Sequence, residues 1–174
     1  NGVIGYNGKL NIRPKFQREF VYNEKQRNEV IKSINSDFPL NVMYWICNDD
    51  GTYEVLDGQQ RLTTLSILMI ALSRAYEKLG EITSAEDIKN RFIFNNRYQG
   101  EDKFKLVPTT DDKETYFYIA KGIEKELIHP SEQLLNNFNY FVDLIPNTID
   151  ELNKIYMAII KLDIVYVVLT KNQD

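Results

Sequence analysis

Val55-Leu56-Asp57-Gly58-Gln59-Gln60-Arg61-Leu62-Thr63-Thr64-Leu65 is the stretch that decides the fold of this chain. It begins as the end of an apolar strand, breaks at Asp57-Gly58 and continues as a helix. We expect this helix to end near Gly80, since glycine commonly follows the last helical turn. Apolar residues recur at every third or fourth position after the break, which predicts one buried helical face. They are Leu62, Leu65, Leu68, Met69, Leu72, Tyr76 and Leu79.

The junction between the strand and the helix has the chemistry of an anion site. Free backbone N–H groups at the start of a helix and the positive end of its dipole favour an anion. Gly58 has no Cβ to hold a phosphate away from the backbone. The Arg61 guanidinium, one turn further on, can donate to two phosphate oxygens at once. Asp57 offers a carboxylate to a magnesium ion or a ribose hydroxyl.

A purely structural interpretation of the same junction is that Asp57 caps the helix and that the two glutamines are solvated. Junctions of a strand, Asp-Gly and a helix are common. The chain contains neither the G-x-x-x-x-G-K-S/T pattern of a P-loop nor the G-x-G-x-x-G pattern of a dinucleotide-binding turn. The spacing alone therefore leaves both interpretations open.

Two motifs in the chain resemble a known family. Asp57–Arg61, followed by Leu-Thr-Thr-Leu, resembles the signature of the GmrSD N-terminal domain family. Upstream, Ile12–Tyr22 resembles that family's "I-P-x-(F/Y)-Q-R-x-(Y/F)-V-W" box, with Tyr22 where the family more often has Trp. Two spaced motifs in the family's order make the resemblance specific, and both lie in the first third of the chain.

The resemblance implies an α+β fold similar to ParB and sulfiredoxin, in which a small mixed sheet with a hairpin and a long motif helix carries a helical extension. We expect residues 1–80 to form the motif-bearing core, residues 81–162 a mostly helical extension, and residues 163–174 a strand that returns to the core sheet, all within one domain. Family members continue past a similar strand into an F-E-x-x-N segment. We therefore also expect this chain to be part of a longer protein.

The same resemblance implies a function. Family members resemble the nucleotide-binding or nucleotide-hydrolysing part of phage-defence systems, including modification-dependent restriction enzymes, in which a partner domain, often an HNH nuclease, cuts DNA. The implied ligands are a nucleoside triphosphate and magnesium, and the implied partners are DNA and a C-terminal or separate nuclease domain. The implied nucleotide-binding residues are Asp57, Gly58, Gln59, Gln60, Arg61 and Thr64. Asp57 and Arg61 would be catalytic, and Asp57 would also hold the magnesium. Gln17 and Arg18 would contact DNA or phosphate.

Two alternatives remain open at this point. The first is a DNA-binding module without NTPase activity, in which Gln17 or Gln60 touches base edges while basic residues line a groove that contacts phosphates. Those basic residues are Arg13, Lys15, Arg18 and Arg61. The second is a ParB-like nuclease, against which the lack of a carboxylate cluster near Asp57 counts. His129 is the single histidine, so an HNH centre cannot be built from this chain.

Composition sets the broad class of the protein. The chain has 174 residues, of which 43% are hydrophobic and 26% charged, as in ordinary globular domains. Its formal net charge of −4 argues against a uniformly basic nucleic-acid surface. Cys47 is the single cysteine, so no internal disulfide can form, which fits the cytoplasm. No apolar run approaches the roughly 20 residues that span a bilayer, so we expect no membrane partner. The sequence leaves self-association open.

Several other elements can be predicted from local patterns. Asn23 and Gln26 resemble a capping box, which predicts a helix over 24–36. The β-forming runs 41–47 and 52–56 predict a hairpin that leads directly into Asp57-Gly58. Residues 103–107 predict a short strand. Asp163–Leu169 is an almost unbroken apolar run with β-branched residues, which predicts a strand buried on both faces in the middle of a sheet.

Overall fold

The computed structural model describes residues 10–11, 19–36, 40–49, 53–122 and 127–169, and its secondary structure within these ranges is mixed. The strands are β1 (Leu10–Asn11), β2 (Leu40–Cys47), β3 (Tyr53–Asp57) and β4 (Ile164–Leu169). The helices are α1 (Glu24–Ser36), α2 (Gln59–Lys78), α3 (Ile82–Ile88), α4 (Thr110–Lys121), α5 (Glu132–Leu144) and α6 (Ile149–Ile160). A π-turn, Lys89–Ile93, continues α3, and a 3-10 turn spans Gly100–Lys103. The predicted α+β class is confirmed.

The strands form one small mixed sheet in the order β1-β3-β2-β4. β2 and β3 are the antiparallel pair of the predicted hairpin, which is confirmed. β1 runs parallel to β3, and β4 runs parallel to β2. Because β3 ends at Asp57 and α2 begins at Gln59, the sheet delivers the chain straight into the motif.

Two local predictions of helix boundaries are also confirmed. Asn23 and Gln26 exchange hydrogen bonds as a capping box, since each backbone N–H donates to the other side chain at 2.9 and 3.2 Å. α1 then runs over the predicted residues. At the end of α2, Gly80 has a φ of +81°, which suits the left-handed residue after a helix.

The long helix α2 lies at the centre of the fold and packs against α1, α3, α4, α5 and α6. The predicted face is confirmed at Leu62, Leu68, Met69, Leu72 and Tyr76, all of which are buried. Burial extends beyond that face, because polar residues such as Thr63, Ser66 and Ser73 are buried as well. Leu79, which was assigned to that face, is 37% exposed. A helix surrounded by other helices is buried on most sides, and apolar periodicity underestimates this.

One face of the sheet packs against the helices. Met43 and Trp45 of β2 and Val55 of β3 are buried in the same core as the apolar residues of α2. The Trp45 ring stacks on Tyr166 of β4 with a centroid distance of 3.9 Å. Within the described residues, no helix is both long and apolar enough to cross a membrane.

Two strand predictions need correction. β4 forms, but it pairs only with β2 among the described strands, and Val165–Val168 are all exposed, so it is an edge strand and not a buried central one. An apolar β-branched run indicates a strand without fixing its position in the sheet. Residues 103–107 form no strand; Phe104 makes a single bridge to Phe94 and buries its ring against Phe117.

Candidate functional site

The turn from β3 to α2 forms one side of an open cleft of about 340 Å³. Its lining consists of Tyr22, Leu56, Asp57, Gly58, Gln59, Gln60 and Arg61. The fold thus brings the end of the upstream box, at Tyr22, beside the Asp57–Arg61 motif. Of the six residues predicted to bind nucleotide, Thr64 alone is not part of this lining.

Gly58 is required at the turn for two separate reasons. Its φ of 112° and ψ of −1° lie in a region that L-residues with side chains rarely adopt. A Cβ at this position would lie 2.7 Å from Cγ of Met43, a fully buried residue of β2. The glycine therefore allows the turn to pack directly on the neighbouring strand.

The start of α2 presents backbone donors to the cleft. Gly58 is the N-cap, and it has no side chain with which to cap the helix. The first intrahelical hydrogen bond runs from the Leu62 N–H to the Gly58 carbonyl at 3.0 Å. The N–H groups of Gln59, Gln60 and Arg61 precede that bond and have no acceptor within the helix. No acidic residue lies in the first helical turn, and the Asp57 carboxylate that precedes the turn is paired with Arg61.

Asp57 and Arg61 form an ion pair across the turn. Nη2 of Arg61 lies 2.9 Å from Oδ2 of Asp57 and donates to the Val42 carbonyl of β2 at 3.1 Å. The Arg61 side chain is only 11% exposed, whereas that of Asp57 is 66% exposed. The structural interpretation of Asp57 as the helix cap is wrong, because its carboxylate pairs with Arg61. This pairing holds the guanidinium in one place at the edge of the cleft.

The two glutamines bind backbone groups. Nε2 of Gln59 donates to the Val55 carbonyl at 2.7 Å, which ties the helix to its own strand. Gln60 accepts from the Val21 N–H at 3.0 Å and donates to the Glu19 carbonyl at 3.2 Å. Gln60 thereby joins the motif to the upstream segment and fixes the position of Tyr22.

Thr64 lies in the protein interior. It is fully buried, and its hydroxyl donates to the Gln60 carbonyl at 2.8 Å. It supports the first turn of α2 from below and does not reach the cleft. Gln17 and Arg18, predicted to contact DNA or phosphate, lie outside the described residues, as do Arg13 and Lys15.

Asp112 and Asn137 hold the segment Phe20–Tyr22 from the helical side. Oδ2 of the buried Asp112 accepts from the Phe20 N–H at 2.5 Å and from the Thr109 hydroxyl at 3.0 Å. Its Oδ1 accepts from the Ser131 hydroxyl at 2.6 Å. Nδ2 of Asn137 donates to the Tyr22 carbonyl at 2.9 Å. Sequence reasoning missed both residues, since no local signal links residue 112 or 137 to this segment.

We expect Asp112→Ala to lower the free energy of unfolding by about 3 kcal/mol, because it leaves a buried N–H and two hydroxyls without their acceptor. Chemical denaturation would measure this loss. The matched control is Asp111→Ala, which removes the exposed neighbouring carboxylate in the same helical turn. It should cost less than about 1 kcal/mol. Equal effects of the two substitutions would show that the Asp112 hydrogen bonds do not hold the segment.

Comparison with known proteins agrees with the two motifs. No curated protein matches the chain. The family described as "GmrSD restriction endonuclease, N-terminal domain" matches residues 4–174. This match spans nearly the whole chain, includes both motifs and indicates a role in a restriction system. The chain belongs to the GmrSD restriction endonuclease N-terminal domain family.

Proposed function

We propose that this chain is the nucleotide-binding domain of a restriction system and that its nucleotide state regulates a separate nuclease domain acting on DNA. The phosphates of a nucleoside triphosphate would bind at Asp57–Arg61. The observation that carries the proposal is the 340 Å³ cleft, whose lining combines the start of a 20-residue helix, with glycine as its N-cap, and an arginine held by an ion pair.

The start of α2 suits a phosphate for electrostatic reasons. Its N–H groups and the positive end of its dipole attract an anion, and the glycine N-cap lets that anion come close to the backbone. Arg61 is already held by Asp57 and the Val42 carbonyl. A guanidinium that is ordered before binding loses little conformational entropy when it contacts a phosphate.

Magnesium fits this site as an ion that arrives with the nucleotide. Within the part of the chain that the structure describes, no three His, Cys, Asp or Glu side chains lie close enough to hold a metal. Asp57 is the one carboxylate among the described residues that line the cleft. Magnesium commonly binds one or two carboxylates together with substrate phosphates and water. Asp57 would serve as that carboxylate, and the ion would neutralise phosphate charge.

Hydrolysis, as part of the proposal, would use the same two side chains. The exposed carboxylate of Asp57 would orient the attacking water, and the Arg61 guanidinium would stabilise the charge that develops on the transferred phosphoryl group. Phosphate release from a nucleoside triphosphate measures this activity. It should be lost in Asp57→Asn, whose carboxamide keeps the shape of the side chain without its charge.

Tyr22 is placed to contact the base or ribose of the nucleotide, since its aromatic side chain lines the cleft beside the phosphate turn. We expect Tyr22→Ala to weaken nucleotide binding about tenfold, the size of a lost stacking contact. Tyr22→Phe should bind nearly as well as the wild type. Calorimetry with pyrophosphate is the control: it has no base, so its affinity should be the same in all three proteins. Equal losses for nucleotide and pyrophosphate would contradict a base contact.

The proposal as a whole is tested by titrating the chain with magnesium and a nucleoside triphosphate, and separately with duplex DNA over a range of salt concentrations. Saturable nucleotide binding that depends on Arg61 supports it. If the chain binds DNA with an affinity that falls steeply with salt, and does not respond to nucleotide, the DNA-binding module is favoured over the nucleotide-binding domain.

A further inference from the structure

A second cleft, of about 590 Å³, lies between the C-terminal half of α2 and the end of α4. It shares no lining residue with the motif cleft. Arg74, in its wall, is thirteen residues beyond Arg61 on the same helix, or about 20 Å along the axis. The two clefts therefore lie at different ends of α2.

Cationic side chains dominate this second cleft. Among the described residues, Arg74, Lys78, Lys89 and Lys121 line it, together with one carboxylate, Glu77. Glu77 is paired with Lys89 at 2.5 Å. Among the described residues, the other three cations have no carboxylate within ion-pairing distance. This local excess of positive charge occurs in a chain whose formal net charge is −4.

Arg74 is held in the wall of this cleft by its own contacts. Its side chain is half-buried, its Nη2 donates to the Ile119 carbonyl at 2.5 Å, and its guanidinium lies 4.8 Å from the Phe138 ring centroid. Burial lowers the pKa of the Arg74 guanidinium below its usual value. The nearby Glu77 carboxylate counteracts part of this effect, but Glu77 is itself paired with Lys89. A partly desolvated charge that faces a cleft is costly, and an anion bound there would offset that cost.

Helix termini explain part of the cluster in purely structural terms. Lys78 and Lys121 lie in the last turns of α2 and α4, where a positive charge stabilises the helix dipole. The same benefit would arise at any position around the helix end. It does not account for their convergence with Arg74 on one cleft. Both lysines are exposed residues, and the Lys121 ammonium also lies 5.4 Å from the Phe104 ring centroid.

We propose that this cleft is a second anion site, which binds a compact ligand carrying phosphate groups. Its volume falls in the range of about 300–1,000 Å³ that is usual for small-molecule sites. The Tyr118 side chain also lines it and adds a hydroxyl that can donate to an anion. The proposal is independent of nucleotide binding at Asp57–Arg61.

The test is a titration of ¹⁵N-labelled protein with inorganic pyrophosphate in the absence of magnesium. The amides of Tyr118 and Gly122 report on the second cleft, and that of Gly58 reports on the motif cleft. The double variant Lys78→Gln/Lys121→Gln should weaken binding at Tyr118 and Gly122 about tenfold, since two charge-assisted contacts are lost. Arg74 is left in place because it also binds the Ile119 carbonyl.

The matched control is Lys32→Gln/Lys154→Gln, which removes two exposed lysines of α1 and α6 that do not line the cleft. This control should bind as the wild type does. Arg61→Ala should leave the response of Tyr118 and Gly122 unchanged, so that a failure of the motif site is distinguished from a failure of this one.

Three results would overturn the proposal. The first is no shift of the Tyr118 and Gly122 amides at millimolar pyrophosphate, and the second is an equal loss in the two double-lysine variants. The third concerns Glu124 and Glu126, which the sequence places shortly after Gly122. If pyrophosphate binds Glu124→Gln/Glu126→Gln but not the wild type, carboxylates of the chain itself, and not a ligand, neutralise the cluster.

Discussion

Arg61→Ala should lower the affinity of the chain for a magnesium nucleoside triphosphate about a hundredfold. A guanidinium that donates two hydrogen bonds to a phosphate contributes roughly 3 kcal/mol to binding. Among the described residues, Arg61 is the one cationic residue in the lining of the motif cleft. Isothermal titration calorimetry measures the loss directly. The affinity of Arg61→Lys should lie between those of the wild type and Arg61→Ala, because lysine keeps the charge without the planar pair of donors.

The same substitution also has a structural effect that must be separated from the loss of binding. Arg61 is 9% exposed and donates to the Val42 carbonyl, so its removal weakens the contact between α2 and β2. Circular dichroism should show that the variant is folded at the temperature of the titration. Asp57→Ala is the matched control, because it removes the ion pair but keeps the guanidinium, which still donates to the Val42 carbonyl. It should weaken the magnesium-dependent part of binding only. A folded Arg61→Ala protein with wild-type affinity would contradict the assignment of phosphate to this turn.

Gly58→Ala should lower the free energy of unfolding by about 3 kcal/mol. Part of this loss is backbone strain, since the φ of 112° disfavours a residue with a Cβ. The rest is overlap with the Met43 side chain, which would lie 2.7 Å from the new methyl group in a tightly packed region. Urea denaturation followed by circular dichroism would measure the change.

Gly80→Ala is the control for this prediction. Gly80 also has a positive φ, of +81°, but a Cβ there would meet no atom within 4 Å. Gly80→Ala should lower the free energy of unfolding by about 1 kcal/mol, because backbone strain is its only cost. The difference between the two substitutions then reports the contact with Met43. If both substitutions lower the free energy of unfolding equally, close packing between the turn and β2 does not explain why residue 58 is a glycine.

The hairpin, the motif helix and the cap of α1 could be predicted from the sequence because the interactions that define them are local. Asn23 and Gln26 bond to each other three residues apart, and β3 passes into α2 within a few residues. The placement of Asp57 and Arg61 at one turn is local as well. Their four-residue spacing on a helix start accounts for the observed ion pair.

The parts that could not be predicted depend on long-range packing. The roles of Asp112 and Asn137 rest on contacts with Phe20 and Tyr22 that are 92 and 115 residues apart in the chain. The hydrogen bonds of Gln60 to the upstream segment are of the same kind, so a residue predicted to contact nucleotide also has a structural role. The exposure of β4 likewise depends on its neighbours in the sheet and not on its own residues.

The most direct test of the central claim is to follow the backbone amides of Gly58, Gln59, Gln60 and Arg61 in ¹⁵N-labelled protein during titration with a magnesium nucleoside triphosphate. Hydrogen bonds from these N–H groups to phosphate oxygens should shift their resonances strongly and saturably. In Arg61→Ala the same shifts should require about a hundredfold more nucleotide. If the resonances of these four amides do not shift at saturating nucleotide, although the chain is folded, the account is contradicted.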